Sequence, residues 1–493
     1  MLEKPSTMDA DKTLVSPQTL KGFRDYLPAD MAARDRVVDR IKRVYERYGF
    51  VQIDTPILEH LAALLGAGGE ETNKELFRLA SPEDEPVAMR FDLTVPFARV
   101  LAQYRDQVKL PFRRYHIGPV FRADKPGPGR YRQFTQFDID AAGSASVAVD
   151  AEIVAAMCDA MRAVGLAAGE FRVRINNRKI VDALLYGCGV ERIETHKHIL
   201  RVVDKLRKVG IENVCRELGP GRIDDSGDPI PGVKLDANTI DRLVKFISAP
   251  VSDRLATVEA MRAALPASDA SDAALAEMIT LAECLASLGV EEVDAVFDPT
   301  LARGLDYYTG PVFEAELPGA PECGSVMGGG RYDGLVERFL EAAIPSTGAS
   351  IGLDRFIDAL TRCGKLDADL TTTQAMVVSF PGTPEAALLR VAAELRAAGI
   401  ATEVYMGAEN TGLGARMAFA GGRNVPVAVI LGPDELANNT VAVKDLRLGK
   451  EKRKDIATNE EFRKAGRTAQ RTVPRADLIA TVKDVLKQYE VSK

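Results

Sequence analysis

Residues 114–140 read RYHIGPVFRADKPGPGRYRQFTQFDID, and their two-residue periodicity decides the fold. Between 130 and 140 the even positions are Arg130, Arg132, Phe134, Gln136, Asp138 and Asp140, while Tyr131, Phe137 and Ile139 are odd. Successive side chains of a strand point to opposite faces, so this stretch presents one charged face and one mostly apolar face. The preceding run, 114–122, divides in the same way, with Tyr115, Ile117 and Phe121 on one side and Arg114, His116 and Arg122 on the other. Joined by the loop ADKPGPG, the two runs form an antiparallel pair whose charged faces lie together. Such a face carries cations for phosphates, an aromatic ring for a base and carboxylates for a cationic ligand. Alternation alone fits a solvated sheet face equally well.

Outward from this pair, Val37, Ile41, Val44, Tyr45 and Tyr48 recur at helical spacing until Gly49 stops the pattern. Residues 50–58 read as a short strand broken by Pro56, and 87–139 as mostly β. A helix over 147–164 and a strand over 171–175 follow. Helical periodicity dominates from 179 to 296, interrupted by the turn-rich GPGRIDDSGDPIPG at 219–232. β signals return at 313–317, and the small-residue strand 348–352 runs into a helix from Leu353. Beyond a polar stretch at 361–374, the segments 375–380, 384–398, 401–405, 413–420 and 425–431 alternate β-α-β-α-β. The expected organisation is a disordered tail at 1–18, a main domain of 19–178 and 297–362, a helical insertion at 179–296, a linker at 363–374 and an α/β domain at 375–493.

Composition bounds the function classes. A chain of 493 residues is too long for one core, and 46% hydrophobic with 27% charged residues excludes wholesale disorder. No stretch approaches the roughly 20 apolar residues of a membrane span. Residues 1–18 lack the apolar run of a secretory signal, which predicts a cytoplasmic protein. The six cysteines never form a C-x-x-C pair, which predicts reduced thiols. His196 and His198 have no further ligand at metal spacing, so no metal site is predicted. The net charge of -7 weighs mildly against a nucleic-acid partner, although phosphates respond to local patches.

FRADKPGPGRYRQFTQFD, at 121–138, resembles motif 2 of class II aminoacyl-tRNA synthetases, and in particular that of the histidyl-tRNA synthetase family. The resemblance implies Arg122 on the α-phosphate of ATP, Arg130 on the γ-phosphate, Phe134 stacked on adenine and Asp124 as an acidic neighbour. RGLDYYTGPVFEAEL at 303–317 and GGGRYDGL at 328–335 resemble the two signature peptides of that family. Activation brings a substrate carboxylate against the α-phosphorus, so a fixed cation must offset the repulsion of two anions. Arg303 matches the family's arginine in that catalytic role, alongside Arg122. By the same resemblance Asp92 in RFDLT, Thr94 and Gln136 face the amino-acid backbone. Asp140 and Tyr308 grip the imidazole, with Tyr307 beside them, and Tyr332 closes the pocket. Asp stands at 92 and 140 where many bacterial members carry Glu, a shorter side chain with the same charge.

GASIGLDRF, at 348–356, resembles motif 3, which makes Arg355 a clamp for the ATP tail. KGFRDYLP, at 21–28, and the following helix-strand unit resemble the family's N-terminal region and motif 1, implying a homodimer. VAVILGPDELANNTVAVKDLRLGKE, at 427–451, resembles the anticodon-binding domain of several class II synthetases, with Arg416, Arg423, Lys444 and Arg447 as candidate tRNA contacts. The implied fold class is α+β: an antiparallel-sheet catalytic domain with a helical insertion, plus a C-terminal α/β anticodon-binding domain. The implied activity is that of a histidine–tRNA ligase: L-histidine and ATP, with Mg2+, give histidyl-adenylate, and the histidyl group passes to the 3′ end of tRNA(His). A regulatory paralogue that pairs with ATP phosphoribosyltransferase would lack the anticodon domain and degrade RGLDYY. A tRNA-sensing relative would add kinase-like domains.

Overall fold

A computed structural model describes residues 15–67, 73–127, 129–223, 227–302, 307–366, 371–408, 411–451 and 469–490. The expected tail lies largely outside them, as does Arg303. The chain divides into two compact units, the larger ending at Leu366 and the smaller formed by Tyr26–Arg36 and the chain from Asp367 on.

The larger unit is built on an eight-stranded sheet. Its strands are β1 (Val51–Gln52), β2 (Phe112–Phe121), β3 (Gln133–Ala142), β4 (Arg172–Asn177), β5 (Ala295–Phe297), β6 (Pro311–Glu316), β7 (Ser325–Arg331) and β8 (Ser346–Gly352), ordered β1-β2-β3-β8-β7-β6-β4-β5. Only the outer pairs, β1 with β2 and β4 with β5, are parallel. The six strands between are antiparallel, the arrangement expected from the alternation at 114–140.

The β2–β3 register places Arg114 opposite Asp140, His116 opposite Asp138 and Gly118 opposite Gln136. The odd-numbered face, with Tyr115, Phe137 and Ile139, joins the core beneath the helix Val147–Ala163. That helix opens at Ser146, whose hydroxyl accepts from the Ala148 amide. It is followed by the helices of 178–287, whose apolar faces (Ile180, Leu184, Val258, Leu281 among them) belong to the same hydrophobic core as the sheet.

One reading of local structure needs correction and another is filled in. Between 87 and 139 the chain is not mostly β, because Thr94–Gln103 is a helix. Asp92 accepts from the Val95 amide, a side-chain cap, and Pro96 sits in the first turn where a missing N–H costs nothing. The turn-rich 219–232 stretch folds into a small antiparallel hairpin, Gly221–Ile223 with Pro229–Pro231.

In the smaller unit β9 (Ala375–Ser379), β10 (Thr402–Val404) and β11 (Val427–Leu431) pair in parallel, as the β-α-β-α-β pattern requires. β12 (Thr440–Asp445) and β13 (Gln470–Pro474) then extend the sheet antiparallel, and the helix Leu478–Glu490 covers it through Leu478 and Val482. No described helix is long and apolar enough to cross a membrane.

Candidate active site

The polar face of β3 forms the floor of a cavity of about 420 Å3. Phe134, Gln136, Asp138 and Asp140 follow one another along it at every second residue, spanning about 20 Å from first to last. β7 and β8 complete the floor with Gly328, Gly329, Gly348 and Ser350. These glycines sit inside strands, where no turn asks for them. A Cβ on Gly348 would overlap the Asp140 carboxylate, and one on Gly329 would overlap the Gly348 backbone, so both positions need glycine for the strands and Asp140 to pack this closely.

At the Phe134 end lie the cations. Arg122, just past β2, donates from Nε to the Phe91 carbonyl at 3.2 Å, and its guanidinium stacks 4.2 Å from the Phe91 ring centre and 5.2 Å from that of Phe134. Arg355, in the first turn of the helix Leu353–Arg362, donates from Nη1 to the Ser325 carbonyl at 2.9 Å. Arg130 lines the same cavity but is not on the strand expected over 130–140, because β3 begins at Gln133. Pro126 and the left-handed Gly129 turn the chain instead, and Arg130 bridges back to Gly127. There it is mostly exposed, 4.0 Å from Asp124.

The opposite end is a buried cluster of acids. Asp140 accepts the Tyr332 hydroxyl through Oδ1, and its Oδ2 lies 2.7 Å from Arg114 Nη2. Arg114 is fully buried; it also donates to the Leu93 carbonyl at 3.0 Å and lies over the Phe97 ring. Burial pushes the Asp140 carboxyl up to about 6 and Asp138 up to about 7, with Arg114 pulling both down. Asp92 is raised by burial too, against the Val95 amide and the charge of Arg122. Tyr332 stays a hydroxyl donor, held well above the usual phenol range by burial and by Asp140. Tyr307 packs 4.9 Å from Tyr308 and 5.8 Å from Tyr332, giving this end an aromatic wall. Between the ends, Gln136 Nε2 donates to Ser350 Oγ at 2.6 Å. Asp92 and Thr94, at the start of the 94–103 helix, line the cavity as well.

Every described residue expected at the catalytic site therefore lines one cavity; Arg303 is outside the described residues. Sequence reasoning passed over Asp138, Arg114, Ser350 and Asp354. Asp354 lines the cavity too, accepting from Arg24 at 2.9 Å and from the Thr135 amide at 2.8 Å. The alternation at 114–140 had already placed Arg114 and Asp138 on the polar face.

The candidate tRNA contacts fare differently. Arg416 is buried: it donates from Nη1 to Ser379 Oγ at 2.7 Å and from Nε to the Thr411 carbonyl at 2.8 Å, which makes it an internal tie and not a surface cation. Arg423 is more open and pairs with both oxygens of Glu403 at 2.6 and 2.7 Å. Lys444 on β12 and Arg447 in the helix Leu446–Glu451 are partly exposed.

Comparison with known proteins bears on this geometry. A family model described as histidyl-tRNA synthetase matches residues 22–356, and one described as an anticodon binding domain matches 374–484. The chain is 42% identical to a histidine–tRNA ligase of Paracoccus denitrificans, over 95% of its own length and 97% of the relative's. It is 40% identical to that of Rhizobium meliloti, over 94% and 95%. Among solved structures, a histidyl-tRNA synthetase from Nostoc sp. PCC 7120 superposes with a TM-score of 0.77 at 29% identity, covering 96% of this chain and all of that one. With a family model spanning the catalytic unit and relatives of this identity matched end to end, the chain belongs to the histidyl-tRNA synthetase family.

Proposed function

We propose that this chain is a histidine–tRNA ligase that joins L-histidine to tRNA(His) in two steps at the β3 cavity. The observation that carries this reading is the division of one cavity into a cationic, aromatic end and a buried acidic end. ATP lies along the first, its adenine on Phe134, its α-phosphate on Arg122 and its tail between Arg130 and Arg355. Histidine lies at the second, its ammonium towards Asp92, Thr94 and Gln136 and its ring among Asp140, Tyr307, Tyr308 and Tyr332. The substrate carboxylate then attacks the α-phosphorus and pyrophosphate leaves, with Arg303 and Arg122 offsetting the charge that accumulates. In the second step the 3′-terminal ribose hydroxyl of tRNA attacks the activated carbonyl and AMP leaves. No side-chain nucleophile takes part.

Mg2+ belongs to this reading as the counter-ion of ATP. It usually keeps phosphate oxygens, water and one or two carboxylates, and so needs no protein cage. Among the described residues no cluster of three His, Cys, Asp or Glu could form such a cage. Asp124, half-exposed near Arg130, is the carboxylate we assign beside the metal-bound phosphates. When bound, the ion would neutralise charge on the departing pyrophosphate. The C-terminal unit reads the anticodon, with Arg423, Lys444 and Arg447 as surface contacts. We assign a homodimer through the N-terminal helix-strand region, and a cytoplasmic location.

One assay tests the reading: ATP–pyrophosphate exchange with each of the twenty amino acids. Exchange with histidine alone supports a histidine ligase, and no exchange with any of them would point to the regulatory alternative. Against the regulatory reading stand the retained RGLDYY peptide and the C-terminal unit.

A further inference from the structure

Asp138 is 1% exposed, lines the cavity, and has no well-aligned hydrogen bond at either carboxylate oxygen, Ser350 alone being near enough to help. A buried carboxylate accepts up to four hydrogen bonds and is costly to leave without them. The neighbours on both adjacent strands supply at most one of them. Opposite on β2 stands His116, whose Nε2 is 2.8 Å from Asp54 Oδ1. Because a carboxylate can only accept, that contact puts the proton on Nε2 and leaves Nδ1 a bare lone pair. Burial and the nearby Arg114 and Arg90 hold the ring neutral, its pKa lowered to about 3. Opposite on β8 stands Ser350, whose oxygen accepts from Gln136 Nε2 and whose one O–H is left for Asp138, where it offsets only part of the burial. Arg114 Nη2 is 3.9 Å from Asp138, against 2.7 Å from Asp140.

Asp140 is in the reverse position. One oxygen holds the Tyr332 hydroxyl and the other, without an aligned hydrogen bond, is ion-paired with the Arg114 guanidinium at 2.7 Å, so both oxygens are engaged inside the protein. Two residues along β3, Asp138 has neither an ion pair this close nor an aligned hydrogen bond, so most of its capacity is unspent.

We propose that Asp138 is the carboxylate that accepts a ring N–H of the substrate imidazole, and that Asp140 is a positioning residue that holds Arg114 and Tyr332 around it. This rests on the histidine reading above and deepens it. A flat, weakly hydrated ring suits the wall of Tyr307, Tyr308 and Tyr332 next to this carboxylate, and the ammonium is met by Asp92 at the helix start. It also gives the pocket a means of selection. A ligand with no donor at that point would leave Asp138 buried and unpaired, which discriminates far more strongly than shape does.

The test is a cycle between the protein and the ligand, read as dissociation constants by calorimetry. Measured at pH 8, where the Asp138 carboxyl is ionised, Asp138→Ala should weaken histidine at least tenfold, the usual scale for a hydrogen bond to a charged acceptor, while ATP changes less than about twofold. Asp138→Asn, which keeps a neutral acceptor, should recover part of the loss. With histidine methylated at the contacted ring nitrogen the penalty of Asp138→Ala should vanish, because the interaction is already absent. Histidine affinity within about twofold of wild type, or an equal loss for histidine and both ring-N-methyl isomers, would overturn the proposal. A structure of the wild-type protein with histidinol decides the matter even where the variants do not fold. An Asp138 oxygen within about 3.2 Å of a ring nitrogen supports the assignment, and a gap beyond about 4 Å overturns it. Wild-type exchange with histidine keeps the two levels apart: its absence removes the functional reading, whereas normal exchange with a silent Asp138→Ala removes only this inference.

Discussion

Arg114 and Asp140 are directly opposed on neighbouring antiparallel strands, both buried, with Nη2 2.7 Å from Oδ2. The pair sets the charge at the acidic end, since Asp138 and Asp92 share the same guanidinium. Removing one partner of a buried ion pair leaves the other uncompensated, at a cost of roughly 3–5 kcal/mol. Arg114→Leu should therefore lower the urea midpoint markedly. Asp140→Ala, by releasing Tyr332 and Arg114 at the ring end, should raise KM for histidine more than KM for ATP in the exchange assay. Equal effects on both substrates would remove Asp140 from the histidine end.

The same cluster makes stability depend on pH. Asp138 is pushed up to about 7 and Asp140 to about 6 from an ordinary 3.8, so the folded state holds protons that the unfolded chain has released. Where the native state binds more protons, stability falls as pH rises, here between about pH 4 and pH 7. His116, lowered to about 3, acts in the opposite direction below its ordinary value of 6.5. The groups facing Asp138 are Arg114, Asp140, His116, Ser350 and Asp92, and only substitution separates its share from theirs. Asp138→Asn should gain stability relative to wild type as pH rises from 5 to 8, measured by urea unfolding at each pH. A gap that stays constant would show that Asp138 does not titrate in this window.

What could be read from the sequence was what strand alternation controls. Phe134, Gln136 and Asp140 fell on one face because the period of two survives any uncertainty about where the strand ends. Arg130 was misplaced because the same period was carried back through Pro126 and Gly129, where the chain turns. The 94–103 helix was missed because Thr-Val-Pro reads as extended, although an aspartate two residues ahead of a helix with proline in its first turn was a usable signal. Asp138 was on the right face but had no role, since only three-dimensional neighbours show which of two carboxylates is already held by a hydroxyl and a close ion pair. Arg416 shows the converse: nothing local reveals that Ser379, on another element, waits beside it.

Arg416 should accordingly behave as a structural residue. Losing its bonds to Ser379 and to the Thr411 carbonyl is expected to cost roughly 1–3 kcal/mol, seen as a lower melting temperature of Arg416→Ala. Its effect on tRNA binding should leave the salt dependence unchanged, because a residue that touches no phosphate displaces no counterion. Arg447→Ala should instead reduce the slope of log affinity against log salt by about 1 if it meets a phosphate. A reduced slope in Arg416→Ala would return that residue to the interface.

The sharpest prediction concerns Arg303, for which we propose a role between two anions from the resemblance of RGLDYY to the family's signature peptide. A histidine carboxylate and an α-phosphate must approach within bonding distance, and negative charge grows on the phosphorus oxygens as they do. A planar guanidinium offers paired donors that can meet both anions at once, which a lysine's point charge cannot reproduce. Its contribution should grow from ground state to transition state, so kcat falls more than histidine affinity. Arg303→Ala should lower histidine-dependent exchange by about a hundredfold or more, and Arg303→Lys should restore little of it. Binding of histidine and of ATP, measured separately, should change much less. If exchange by a folded Arg303→Ala stays near normal, the charge at the reacting centre is neutralised by another group, and Arg122, at the cationic end of the cavity, becomes the first to test.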